Sequence, residues 1–358
     1  MIYIHVPFCK SFCTYCDFYS EIAEEGMFGR YTDEVCEEIR RRRKEMDSQL
    51  HTLYFGGGTP SLLPLGDLTR ILLTLDEVGM GGPYKEFTME VNPEDIIEKG
   101  LPYLQSLRSL GVNRISMGVQ SFNNTLLRWM NRRHDAEGAR QAFRLIREAG
   151  FQNVSIDLIF GLSNLSGDVW QKTIDEAVAL NPEHISCYQL TVEGESALAD
   201  LVAEGRYTEA DDTLCRRQYD MLCQKLATAG YHHYEISNFA REGFEAVHNG
   251  GYWERRPYVG IGPGAHSFQG NTRSWNSKVL RGWKSTKEIL SPEDTLVETI
   301  MLALRTDKGI DAGFLHDNCS KDDIGRLLEN GALVRTGDRY RIPEDHFFVS
   351  DEIIRELI

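Results

Sequence analysis

Six short β-rich runs, alternating with helix-like stretches over the first half of the chain, constrain its fold more than any other feature. The runs are Ile2–Val6, Thr52–Phe55, Glu86–Val91, Arg114–Gly118, Asn153–Ile159 and His184–Leu190. Between them the apolar spacing predicts helices over 31–46, 65–75, 101–110, 137–149 and 168–180. Breaks such as Gly56-Gly57-Gly58 and Asn92-Pro93 fall directly after strands. Repeated strand–helix–strand units close through right-handed crossovers into a parallel sheet. Function in such sheets gathers at the C-terminal strand ends.

Beyond Leu190 the pattern changes. Residues 191–290 hold one predicted helix, 211–229, in an otherwise irregular, glycine- and aromatic-rich stretch. Residues 291–358 predict two helices, 294–304 and 321–330, and a hairpin over 332–342, a small helical or winged unit. Three segments are therefore expected, at 1–190, 191–290 and 291–358.

Charge narrows the function. Lys plus Arg number 39 and Asp plus Glu 54, a net charge of −15, which weighs against nucleic acid and anionic lipid as partners. The basic run Arg40–Lys44 reads as a solvated helix face, because Glu37 and Glu38 precede Arg41 and Arg42 by four residues. No apolar run approaches the roughly 20 residues of a membrane span. Met1–Lys10 lacks the features of a secretory signal. A cytoplasmic protein without stable membrane insertion is expected.

Three of the eight cysteines, Cys9, Cys13 and Cys16, lie within eight residues just after the first strand. Three thiolates can hold an iron–sulfur cubane with one iron left open. A zinc site is the alternative, with His5 its one nearby fourth ligand. Buried packing is expected for Cys36, Cys187, Cys215, Cys223 and Cys319.

Tyr3-Ile4-His5-Val6-Pro7-Phe8-Cys9 through Cys13-Thr14-Tyr15-Cys16-Asp17-Phe18 resembles the cluster motif of radical S-adenosylmethionine proteins. More narrowly, it resembles the branch containing oxygen-independent coproporphyrinogen III oxidase and the HemW heme chaperones. The resemblance extends to Gly56-Gly57-Gly58-Thr59-Pro60, Glu90-Val91-Asn92-Pro93, Gly118-Val119-Gln120-Ser121-Phe122 and Asp157-Leu158-Ile159-Phe160-Gly161-Leu162. It implies a partial six-stranded parallel (β/α) barrel with a small C-terminal domain. It also implies a [4Fe–4S] cluster on Cys9, Cys13 and Cys16, with S-adenosylmethionine on the open iron and an electron donor as partner. By the same resemblance Gly57, Gly58 and Thr59 face the methionyl end, Glu90 holds the ribose or amino group, and Tyr3 and Tyr15 lie beside the cofactor. Gln120, Arg132 and Asp157 match positions that contact a second cofactor molecule in the oxidase; a structural hydrogen bond serves each equally well.

Two departures favour the chaperone side of that branch. Phe18 stands where the oxidase has a further cysteine, and only eight residues precede Cys9. His248-Asn249-Gly250-Gly251-Tyr252-Trp253 looks like the HemW His-Asn-x-x-Tyr-Trp motif, which implies His248 as a heme ligand, with Tyr252 and Trp253 packing the porphyrin. The glycine-rich stretch Gly260–Ser267 either approaches the radical cofactor or forms a tight turn, and its His266 is the next histidine to suspect. The expected function is a radical-SAM-type heme chaperone delivering heme to acceptor proteins, with the coproporphyrinogen oxidase as runner-up. A homodimer stays open. A radical methyltransferase or tRNA-modifying enzyme would bring a basic face, which the composition lacks.

Overall fold

The computed structural model describes residues 1–46, 52–194 and 196–358. Its centre is a nine-stranded sheet. Six parallel strands run in chain order: β1 (Ile2–Val6), β2 (Thr52–Gly57), β3 (Glu86–Val91), β4 (Arg114–Gln120), β5 (Val154–Phe160) and β6 (His184–Gln189). Helices connect them: α1 (Met27–Arg41), α2 (Leu65–Glu77), α3 (Pro93–Ser109), α4 (Ala136–Glu148) and α5 (Gly167–Leu180). Every residue of β4 is buried, and the other five strands are largely so, as a sheet interior to its layers requires. This is the expected sequential α/β arrangement, with strand ends carried two residues further, into Gly57 and Gln120.

The helices form for local reasons. In α4 the Asp135 carboxylate caps the Gly138 N–H at 2.8 Å, and Ala139, Ala142, Phe143 and Ile146 fall on one buried face. α3 starts at Pro93, eight residues before the predicted start, because proline suits the first helical position. Gly100, at φ 67°, breaks it just before Pro102. α1 begins at Met27 and ends at Arg41, with a short 3₁₀ turn at Arg43–Glu45, where one longer helix to residue 46 was expected.

The stretch after β6 is more ordered than its composition suggests. The antiparallel strands β7 (His232–Glu235) and β8 (Asn238–Ala240) extend the sheet beyond β6, and β9 (Val259–Ile261) pairs in parallel with β1 at the opposite edge. A separate three-stranded sheet, β10 (His266–Gln269), β11 (Thr272–Asn276) and β12 (Ser285–Ile289), follows. The tail holds the expected helices, over Pro292–Leu304 and Lys321–Glu329, and a hairpin of Val334–Thr336 with Arg339–Arg341. An additional helix, Ala312–Asn318, lies between the two. No helix among the described residues is long and apolar enough to cross a membrane.

The Arg40–Lys44 run departs from the expected solvated face. Arg40 does pair with exposed Glu77, but Glu38 and Arg42 are 1% and 6% exposed. Glu38 accepts hydrogen bonds from Gly262 N at 2.9 Å, Asn276 Nδ2 at 2.9 Å, Trp283 Nε1 at 2.8 Å and Arg42 Nη1 at 3.3 Å. This carboxylate thus fastens α1 to the segment after β9 and to β11. Glu38→Ala leaves four buried donors without their acceptor and should cost about 3–5 kcal/mol. Exposed Glu37→Ala should stay within about 0.5 kcal/mol. Urea unfolding followed by circular dichroism measures both; equal stability of the two variants would contradict the role given to Glu38.

Candidate functional site

The C-terminal ends of the central strands open onto a cavity of about 940 Å³. Its walls bring together Cys9, Cys13 and Cys16, Tyr3 and Tyr15, Gly57, Gly58 and Thr59, Glu90, Gln120, Arg132, Asp157 and His248, all of the expected site residues. The loop after β1 supplies the thiols. Cys9 Sγ lies 3.5 Å from Thr59 Oγ1, and Cys13 Sγ accepts from Arg132 Nη1 at 3.3 Å. All three thiols are half-buried and free, and burial raises Cys9 and pushes Cys16 up to about 11. Among the described residues no three His, Cys, Asp or Glu side chains converge as the ligands of one metal ion do. His5, the fourth ligand of the zinc alternative, is engaged elsewhere: Nε2 meets the Tyr19 carbonyl at 2.8 Å and Nδ1 the Tyr3 hydroxyl at 3.1 Å.

The residues present suit a cluster and a zwitterionic partner. Arg132 donates to Asn92 Oδ1 at 2.6 Å and the Gly118 carbonyl at 2.9 Å, while its buried Nε has no partner among the described residues. A guanidinium held this way stabilises a thiolate-bound anionic centre. Asn92 also donates to Thr59 Oγ1 at 3.1 Å. Gln120 adopts φ 65° at a strand irregularity, a conformation that costs a non-glycine residue energy and aims its side chain locally.

The carboxylates sit deeper. Glu90 accepts from Tyr54 OH at 2.7 Å and Gly57 N at 3.1 Å. Burial pushes its carboxyl up to about 7, and that of Asp157, which accepts from Ser116 at 3.2 Å, up to about 6. Buried Arg114 is a cation that acts on both of them, opposing the rise.

The glycines have a reason beyond ligand approach. A Cβ on Gly57, at φ 113°, would come within 2.6 Å of the His5 ring, and one on Gly58 within 2.9 Å of the Phe8 carbonyl. The Gly260–Ser267 stretch is a tight turn: a Cβ on Gly262 would lie 2.7 Å from the His5 carbonyl oxygen.

His248 lies on the helix α6 (Val247–Trp253), whose first N–H groups, Val247 N and His248 N, bond to Glu86 at 2.7 and 2.9 Å. Its ring is 1% exposed; Nδ1 meets Thr52 Oγ1 at 2.9 Å and Nε2 meets Tyr252 OH at 2.8 Å. Burial lowers its pKa to about 3, so the imidazole is neutral. Tyr252 lines the cavity; Trp253 does not, and its buried Nε1 has no partner among the described residues. Sequence reasoning passed over Glu86, Arg114 and Ser116. Each is a polar residue inside a strand run, the one signal that could have marked them.

The raised Glu90 pKa has a measurable consequence. Between its ordinary 4.5 and about 7 the folded chain keeps a proton that the unfolded chain has released, so stability falls as pH rises through that window. Glu90→Gln carries no such proton. Relative to wild type it should gain roughly 1–3 kcal/mol between about pH 5 and pH 8 in urea unfolding of the cluster-free chain. A difference independent of pH would contradict this placement of Glu90.

Comparison with known proteins identifies the family and the fold. The Radical SAM superfamily pattern matches residues 3–177. The chain is 35% identical over 326 residues to the heme chaperone HemW of Synechocystis sp., covering 86% of this chain and 78% of that protein. It is 32% identical over 371 residues to the heme chaperone HemW of Mycobacterium tuberculosis, covering 100% of this chain and 94% of the relative. Among solved structures, the radical SAM enzyme coproporphyrinogen III oxidase (HemN) of Escherichia coli superposes with a TM-score of 0.82. That match has 21% identity and covers 99% of this chain and 89% of the other, which identifies the fold. The chain belongs to the HemW family within the radical SAM superfamily.

Proposed function

We propose that this protein binds heme and passes it to acceptor proteins, with a [4Fe–4S] cluster on Cys9, Cys13 and Cys16 and S-adenosylmethionine beside it. The observation that carries the reading is that residues from Cys9 to Tyr252, distant in sequence, line one cavity at the strand ends. When bound, such a cluster supplies single electrons to S-adenosylmethionine. The chain's own residues supply the setting. Arg132 faces the Cys13 sulfur, and Glu90 holds the Gly57 amide. Gln120 and Asp157 present polar groups further along the wall, where a second cofactor molecule or a structural bond could use them. A cytoplasmic place and an external electron donor belong to the same proposal.

The oxidase is the second reading, favoured by the likeness of fold to HemN. Phe18 weighs against it. This side chain is 65% exposed at the cavity wall, where the oxidase branch has a further thiol. An apolar ring there offers no ligand or redox function.

Anaerobic reconstitution with iron and sulfide separates the readings on one sample. Alanine at Cys9, Cys13 and Cys16 together should abolish the brown chromophore, whereas Cys319→Ala should keep it. The wild type should take up about one heme per chain through a single axial nitrogen. It should not decarboxylate coproporphyrinogen III. Cluster retention in the triple variant would refute the cluster assignment, and vinyl formation by the wild type would establish the oxidase.

A further inference from the structure

We infer that Asn92 is a positioning residue that raises the reduction potential of the cluster by aiming two hydrogen-bond donors at the sulfurs of Cys9 and Cys13. The inference rests on the cluster reading above and deepens it, naming the groups of this chain that adjust the cluster's affinity for an electron.

A helix cap that does not cap is the starting observation. Asn92 stands at the N-cap position of α3, where an asparagine side chain ordinarily accepts from one of the first helical amides. Its side chain bonds to none of them. It faces the cavity instead, as part of its wall. Nδ2 donates to Thr59 Oγ1 at 3.1 Å, and Oδ1 accepts from Arg132 Nη2 at 2.6 Å. The amide cannot be reversed, because a guanidinium only donates, so Oδ1 must face Arg132 and Nδ2 is left for Thr59.

Each of these contacts leads to a thiol. Thr59 Oγ1 lies 3.5 Å from Cys9 Sγ. The Asn92 amide already donates to that oxygen, and a metal-bound sulfur carries no proton, so the Thr59 hydroxyl is the donor to Cys9. Arg132 Nη1 lies 3.3 Å from Cys13 Sγ, while Nη2 is shared between Asn92 Oδ1 and the Gly118 carbonyl at 2.9 Å. One amide thus joins Cys9 to Cys13, through Thr59 on one side and Arg132 on the other. The junction is tightly packed: a Cβ on Gly118 would lie 3.3 Å from both Asn92 Oδ1 and Arg132 Nη2.

Hydrogen bonds to the ligating sulfurs and nearby positive charge both favour the reduced, more negative cluster, and so raise its potential. Arg132 supplies both, and Thr59 supplies the first. The oxidase resemblance implies another task for Arg132, contact with a second cofactor molecule. In this chain its guanidinium is already engaged by Cys13, Asn92 and Gly118.

The test is a redox titration of the full-length chain, reconstituted anaerobically with iron and sulfide. It is poised with dithionite and mediators, without S-adenosylmethionine, and read by the electron paramagnetic resonance of the reduced cluster. Iron and sulfide content reports cluster assembly in each variant. Asn92→Leu keeps the volume and neither donates nor accepts. Its reduced-to-oxidised ratio at a fixed potential should fall about tenfold, a downward shift of about 59 mV for one electron. Asn92→Ser, which shortens the side chain and places a good cap residue there, is the second variant and should fall as far. Arg132→Gln should fall at least as far. Thr59→Val should lower the ratio about threefold, and Thr59→Ser should restore it. Asn92→Leu added to Thr59→Val and Arg132→Gln together should shift nothing further, since both groups it aims are then gone. A further shift in that background would overturn the positioning role. Asn92 variants with the wild-type potential would overturn the inference and leave the cluster reading intact. A wild type that assembles no cluster would remove that reading, and this inference with it.

Discussion

The imidazole of His5 occupies the space that a side chain at residue 57 would need, and the rest of the site depends on this contact. Gly57 at φ 113° is the accommodation on one side. On the other, the His5 ring bonds to the Tyr19 carbonyl beyond the cysteines and to the Tyr3 hydroxyl before them. One ring therefore fastens the loop after β1 at both ends and packs it on the turn after β2. Glu90 of β3 adds the third strand by accepting from the Gly57 amide. The thiols stand on a scaffold that three adjacent strands define before any cofactor arrives, which is how precise sites are supported.

Much of this was legible in the sequence. Strands buried on both faces appear as short apolar runs, and their ends carry the glycines, Asn92-Pro93 and the cysteines. The cavity gathers the expected residues because parallel strands deliver their C-terminal ends to one side. What escaped was nonlocal. β9 is three residues long and pairs with β1, some 250 positions earlier, and β7 reads His-His-Tyr-Glu, with no apolar alternation. The four-residue spacing of Glu38 and Arg42 is the same whether the pair is exposed or buried. Their partners, Gly260, Asn276 and Trp283, lie more than 200 residues away. The glycines after β2 read as room for a ligand, yet the molecule's own His5 and Phe8 fill part of that room.

The two adjoining cavities differ in their lining. The first is lined by the three thiols, by the carboxyls of Glu90 and Asp157, whose pKa burial raises to about 7 and about 6, and by Arg114 and Arg132. The second is lined by Tyr252, Tyr258 and Phe268 and by arginines that are paired with carboxylates. Tyr252 lines both, its hydroxyl held by the imidazole of His248.

The central claim is that three thiols hold a cluster whose fourth iron faces the main cavity. Electron paramagnetic resonance of the reduced cluster, with and without S-adenosylmethionine, tests it most directly. The account predicts a changed spectrum on addition, with magnetic coupling to label in the amino or carboxyl group of the methionine moiety. A spectrum that stays the same, with no coupling to the label, would contradict it.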